Sequence, residues 1–272
     1  MEERSLDPDI DRYYSQEWDE NARLRSGLNE LEFLRTQEII RRYLPDPPSR
    51  VLDVGGGSGV HAEWLVADGH RVTLVDPVAL HVEQATASLG FHDGFSAERG
   101  DARSLQAADE SFDIVLLLGP LYHLTDRSDR MQVWHETMRV LRPGGRAIAA
   151  GITKYASLFA GLEKEEIFVD AFRGVVEQDL IDGQHRNAPG KDYFTTAYFH
   201  HPDDLVGEAY EAALEQVEIV AVEGPVGMVP HLEESWNDPV RRQVLLDLVR
   251  MVESEPSLMG IGPHVLITGR KT

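Results

Sequence analysis

Residues 51–59 read VLDVGGGSG: an apolar run, an aspartate, then glycines at 55, 56, 57 and 59. A strand that ends in so many glycines lets its backbone come close to a ligand. A triphosphate loop would need Gly-Lys-Ser/Thr, and no lysine follows these glycines, which excludes it. A dinucleotide fingerprint needs G-x-G-x-x-G or G-x-G-x-x-A. Gly55 and Gly57 would demand a small residue where Val60 stands, and only Gly57, Gly59 and Ala62 meet the looser form. Two carboxylates point to a different nucleotide. Asp53 lies in the first strand, two residues before Gly55, where it suits a cationic group rather than a pyrophosphate. Asp76 ends the second strand, where a carboxylate accepts hydrogen bonds from a ribose diol.

The alternation around this stretch sets the fold class. RVLDV is a buried strand followed by a helix closed by Gly69, and RVTLVD (71–76) is a second strand followed by a helix stopped by Gly90. A weaker strand near 95–99, the strand SFDIVLLLG (111–119), an amphipathic helix over 130–141 and the strand RAIAAGI (146–152) continue the rhythm. Strands alternating with helices of this length predict a parallel sheet with right-handed crossovers. Before it, apolar residues from Leu28 to Leu44 recur at helical spacing and PDPP at 45–48 ends the helix. Beyond residue 152 the pattern predicts a helix near 162–181, a turn-rich polar-aromatic run over 183–201, a helix from Pro202, a strand over 215–224, a helix opened by Asp238-Pro239 and a last strand, HVLITGR (264–270). The expectation is a Rossmann-like α/β sheet of seven strands, mostly parallel. It divides into a helical cap (1–44), a cofactor-binding core (45–152), an insertion forming a substrate-side cap (153–200) and a C-terminal part of the sheet (201–272).

The whole chain narrows the partners. Its 272 residues carry 26 basic against 47 acidic side chains, a net charge of −21, which repels phosphate backbones and anionic lipid. With no cysteine there is no disulfide framework or thiolate metal site, and no metal is expected. The acidic, polar N-terminus is not a signal sequence, so a cytoplasmic protein acting on a small molecule is expected, with no nucleic-acid or membrane partner. Oligomeric state is left open, a homodimer included.

VLDVGGGSG, VTLVDP, GDARSL, SFDIVLLLGPLYHL and LRPGGRAIAAGI, in this order and spacing, resemble the class I S-adenosylmethionine-dependent methyltransferases over residues 28–152, and HVLITGR resembles that fold's antiparallel seventh strand. The resemblance implies S-adenosylmethionine as cofactor. Gly55, Gly57 and Gly59 would form the loop against its methionine and ribose, Asp53 would sit near its amino group, and Asp76 would bind the ribose. Pro77 or Val78 would flank the adenine, Asp101 and Ala102 would contact its amine, and Leu118 and Gly119 would line the sulfonium. Tyr14, or Arg35 toward the methionine carboxylate, could close over the cofactor.

Gly119 stands where amino-methylating nucleic-acid enzymes hold the exocyclic amine, which argues against base methylation. His123 is the candidate general base for a hydroxyl, amine or thiol, against a purely pocket-shaping role. The run His185, Asn187, Tyr193, Phe194, Thr195, Thr196, Tyr198, Phe199, His200 and His201 is either the substrate side or a packed lid edge, and the adjacent His200 and His201 are not a metal pair. His61 is expected to face solvent. The resulting reading is transfer of a methyl group to O, N, S or C of a small metabolite. Its alternatives are an NAD(P)-dependent oxidoreductase and a cofactor-binding protein without transfer activity.

Overall fold

The computed structural model describes residues 8–14, 23–25, 29–188, 190–191 and 193–272; Trp18 and Leu28 lie outside them. Five strands follow the chain as β1 (Arg50–Val54), β2 (Arg71–Asp76), β3 (Phe95–Arg99), β4 (Phe112–Leu117) and β5 (Leu141–Ile152). The short α1 (Pro8–Arg12) and the longer α2 (Asn29–Tyr43) precede them. Helices α3 (Val60–Ala67), α4 (Ala79–Leu89), α5 (Pro120–His123) and α6 (Arg127–Val140) connect them. After β5 come α7 (Ala156–Glu163), α8 (Asp170–Asp182), a two-stranded hairpin of β6 (Gln184–His185) and β7 (Ala197–Tyr198), and α9 (Pro202–Glu211). The chain ends with β8 (Glu215–Ala221), α10 (Leu232–Asn237), α11 (Pro239–Val252) and β9 (His264–Arg270).

The seven-stranded sheet has the order β3-β2-β1-β4-β5-β9-β8. Strands β1 to β5 pair in parallel, and β9 runs antiparallel between β5 and β8. The central strands carry apolar residues on both faces because helices cover both: Val51, Leu52 and Val54 of β1 and Ile114 to Leu117 of β4 are at most 1 % exposed. The strand order reverses between the parallel β1 and β4, so the carboxyl ends of these strands flank a crevice at the topological switch point, the usual ligand site of an open α/β sheet.

Two expectations need correction. The single helix near 162–181 is instead α7, a short 3-10 turn over 166–168 and α8. Phe172, Val175 and Val176 of α8 are buried, whereas Leu162, Phe168 and Ile181 stay exposed. The segment between β8 and β9, foreseen as one helix, also holds α10 and a 3-10 turn over 224–228. Leu232, Trp236, Leu245 and Val249 of that segment pack with Leu31 of α2. Asp238 caps α11 as expected, accepting from the backbone N–H groups of Val240 and Arg241. Among the described residues no helix is long and apolar enough to cross a membrane.

Candidate cofactor and acceptor site

The crevice opens into a cavity of 1110 Å³. Its first wall is the turn after β1. Gly55 and Gly57 have φ of +69° and +57°, a region that L side chains rarely adopt. At Gly56 a Cβ would lie 2.7 Å from Oδ2 of Asp53, so the missing side chain lets that carboxylate face the loop. Gly59 (φ +91°) lies away from the cavity wall, where it caps the start of α3 and approaches Ala85 and Leu89 of α4. Its predicted place against the cofactor is corrected to a packing role.

Asp53 is 1 % exposed, and neither carboxylate oxygen accepts a hydrogen bond among the described residues. Burial, with a smaller contribution from the nearby Asp76, pushes its pKa up to about 7. A buried carboxylate without partners on a cavity wall calls for a cation or a donor from a ligand. The amino group of S-adenosylmethionine meets that demand, so the residues present fit the cofactor. Asp76 is also buried, but its oxygens accept from the N–H groups of Gly57 and Val78, both at 2.9 Å, and Oδ1 lies 3.1 Å from Nδ1 of His81. These bonds tie the glycine turn to the end of β2.

Pro77, Val78, Asp101, Ala102, Leu118 and Gly119 all line the cavity. The Asp101 carboxylate also accepts from the backbone N–H and guanidinium of Arg103, which reaches on to Asp129 at 2.6 Å. On the opposite side the N-terminal segment forms a roof. The Tyr14 hydroxyl shares a 2.9 Å hydrogen bond with Nε2 of His123, and its ring stands edge-on to His81 and His123. Burial lowers the His123 pKa to about 4, so the ring is neutral at physiological pH and available to accept a proton, though a weak base.

Arg35 is not at the site. Its side chain is fully buried against the far side of α2, donating to the Val222 carbonyl and paired with Glu38 and Glu253. The expected contact with the methionine carboxylate is corrected: Glu38 of the same helix, with Val222 and Glu253 from elsewhere, already holds the guanidinium. His61 does not face solvent either. It lines the cavity, accepts a hydrogen bond from Nε1 of Trp64 at Nδ1, and has its pKa lowered to about 4 by burial.

Among the described residues none of the polar-aromatic run lines this cavity, and its link to the cavity is the Thr196 backbone, which interacts with His123. His185 is buried on Asp179 and stacked on Phe199, His200 is buried near Glu208, and Arg130 lies 3.8 Å above the Tyr198 ring. Arg186, Asn187, Phe194, Thr195 and Thr196 instead wall a separate 390 Å³ cavity with Tyr13.

The sequence reading missed the end of the main cavity beyond β5. Glu32 and Thr36 of α2, Val222 after β8, and His264 and Leu266 of β9 line it. Arg23 holds Glu32 with two bonds of 2.6 and 2.9 Å, and Nδ1 of His264 lies 2.6 Å from Glu223. Glu32, Glu223 and His264 bring potential ligand atoms within 4.8 Å of one another, a spacing that could hold a metal ion. Arg23 and the protonated His264 already supply the countercharge there. These residues come from four distant segments, and no local motif announces them.

Comparison with known proteins agrees with this geometry. Residues 51–145 match a family of methyltransferase domains. The chain is 35 % identical over 127 residues to methyltransferase GfsG of Streptomyces halstedii, an alignment covering 45 % of each protein. It is 29 % identical to the 27-O-demethylrifamycin SV methyltransferase of Amycolatopsis mediterranei, covering 82 % of this chain and 77 % of that one. A solved Thermotoga maritima S-adenosylmethionine-dependent methyltransferase, described as a possible histamine N-methyltransferase, shares the fold with a TM-score of 0.59 at 19 % identity, covering 97 % of this chain and 99 % of that one. Residues 51–145 thus match a methyltransferase domain, and the chain as a whole shares the fold of solved S-adenosylmethionine-dependent methyltransferases.

Proposed function

We propose that the protein transfers a methyl group from S-adenosylmethionine to a small-molecule acceptor, with oxygen as the favoured atom. The observation that carries this reading is the unpartnered Asp53 on the wall of a 1110 Å³ cavity. That volume exceeds the roughly 300–1000 Å³ of a pocket for one drug-sized ligand, leaving room for cofactor and acceptor together. The relative aligned over most of this chain is named for an O-demethylated substrate, which supports the choice of oxygen.

S-adenosylmethionine supplies an electrophilic methyl on a positively charged sulfur. The chain's own residues then have to bind, align and exclude water. Asp53 receives the ammonium, Asp76 the ribose hydroxyls, Pro77 and Val78 flank the adenine, and Asp101 with Ala102 meets its amine. Leu118 and Gly119 border the sulfonium, and Tyr14 covers the site. With a hydroxyl acceptor, the proton that methylation releases from the oxygen would pass to neutral His123 or to water. Acidity and the absence of cysteine support a cytoplasmic setting with no nucleic-acid partner.

Incubating the protein with methyl-labelled cofactor and fractionated small-molecule extract should place label in an organic-soluble methyl ether. Label only in amines would redirect the acceptor atom. Binding of S-adenosylhomocysteine without transfer to any acceptor class would favour a cofactor-binding protein. Stabilisation by NAD(H) instead would favour an oxidoreductase.

A further inference from the structure

His264 lies at the start of β9, directly across from Ile152 at the end of β5. Asp53 lies in β1, three strand positions away along β1-β4-β5-β9. At about 4.8 Å per position the lateral separation is roughly 14 Å. The carboxylate and ammonium of methionine share one carbon, so they are only about 2.5 Å apart. A cofactor anchored by Asp53 therefore does not bring its carboxylate to His264, although both residues border one cavity.

The chemistry at this end is defined. Glu223, 8 % exposed, occupies Nδ1 of His264, so the polar atom left to the ring is Nε2. Two carboxylates face the ring: Glu223 from the end of β8, and Glu32 of α2, whose Oε2 is 4.0 Å from Nδ1. Arg23 neutralises Glu32 from the N-terminal segment. Despite burial, the two carboxylates raise the His264 pKa to about 9, so the ring carries a proton on each nitrogen at neutral pH. An imidazolium donor beside Val222 and Leu266 is a site for an oxygen bearing charge or a strong lone pair.

We propose that His264, oriented by Glu223, is a specificity-determining residue that binds a carboxylate, enolate or carbonyl oxygen of the methyl acceptor, at a distance from the atom that is methylated. This inference rests on the methyltransferase reading. It assigns the acceptors to oxygen-rich, neutral or anionic compounds and disfavours amines, whose charge would meet the imidazolium with the wrong sign.

The test uses the full chain loaded with S-adenosylhomocysteine and two probes with the same catechol ring and opposite tails, 3,4-dihydroxybenzoate and dopamine. By titration calorimetry at neutral pH the carboxylate probe should bind roughly tenfold more tightly. His264→Gln should abolish that preference while leaving the affinity for S-adenosylhomocysteine unchanged, and Glu223→Gln should reduce it. In the unmodified protein the preference should fade as pH rises through about 9, the folded-state pKa of His264. The proposal is overturned by equal binding of the two probes, by no saturable binding of the carboxylate probe at millimolar concentration, or by a preference that survives His264→Gln. Loss of S-adenosylhomocysteine affinity in His264→Gln would also overturn it, by assigning the residue to the cofactor. Stabilisation by magnesium or zinc that disappears in the variant would replace it with a metal site. Failure of the unmodified protein to bind S-adenosylhomocysteine would instead defeat the underlying methyltransferase reading.

Discussion

Asp53 and Glu32 are carboxylates on the wall of one cavity, yet Asp53 accepts no hydrogen bond among the described residues while Glu32 is held by both arms of Arg23. Their pKa values move in opposite directions. Burial dominates at Asp53 and drives it up to about 7, whereas at Glu32 the combined pull of His264 and Arg23 outweighs burial and lowers it. The difference teaches that the two ends are prepared differently. The β1 end keeps an unmet charge that a cationic ligand can satisfy, at a cost to the cofactor-free fold. The β9 end is already neutralised from within and offers a donor, the imidazole of His264.

The largest expected effect sharpens the contrast by removing a residue that belongs to neither end. Arg35→Ala empties the volume of a fully buried side chain and removes its bonds to the Val222 carbonyl, Glu38 and Glu253, although Glu253 keeps Arg42; it should destabilise the protein by about 2–5 kcal/mol, read by chemical denaturation. The milder Arg35→Lys should retain part of that stability. For either variant that folds, unchanged S-adenosylhomocysteine affinity is expected, and a large loss would return Arg35 to the site.

Asp53→Asn tests the unmet charge. A carboxyl whose folded pKa is raised above its unfolded value of 3.8 costs no stability below both values; the cost grows between 3.8 and about 7 and is complete above that. The substitution should therefore raise the thermal midpoint of the cofactor-free protein at pH 8, with on the order of 4 kcal/mol as an upper bound, and much less at pH 4. A midpoint unchanged at pH 8 would mean that the charge is met in solution.

Gly56→Ala should cost about 1–3 kcal/mol, because the new methyl would approach Asp53 and Leu74 at 2.7 and 2.8 Å. It should also weaken S-adenosylhomocysteine binding by moving the carboxylate. Tyr14→Phe removes the 2.9 Å bond to His123, so a loss below tenfold in kcat/KM is expected. Because His123 titrates near 4, the rate should show no inflection near 6.5 attributable to it.

The β1 end was legible in the sequence because its parts are local. Gly55, Gly57, Asp76, Asp101 and Gly119 each end or follow a strand, and a parallel sheet places all those ends along one edge. Gly59 and Arg35 were misplaced for physical reasons. A helix-capping glycine and a ligand-facing glycine have the same sequence signature, and a charged residue on an amphipathic helix does not announce that acceptors at 222 and 253 bury it. The β9 end was illegible because its residues, at 23, 32, 223 and 264, meet only through tertiary structure. The polar-aromatic run allowed both a substrate side and a packed lid edge; in the structure His185 pairs with Asp179 and stacks on Phe199, and His200 is buried near Glu208.

The most direct measurement is the dissociation constant of S-adenosylhomocysteine at pH 6 and pH 8 for the unmodified protein and Asp53→Asn. If Asp53 receives the cofactor's ammonium, it must be ionised to do so, and a pKa of about 7 makes binding roughly tenfold weaker at pH 6 than at pH 8. Asp53→Asn should bind more weakly at pH 8 and lose the pH dependence. Equal affinity of the two proteins at pH 8, or a pH dependence that persists without the carboxylate, would contradict the assignment of Asp53 to the cofactor.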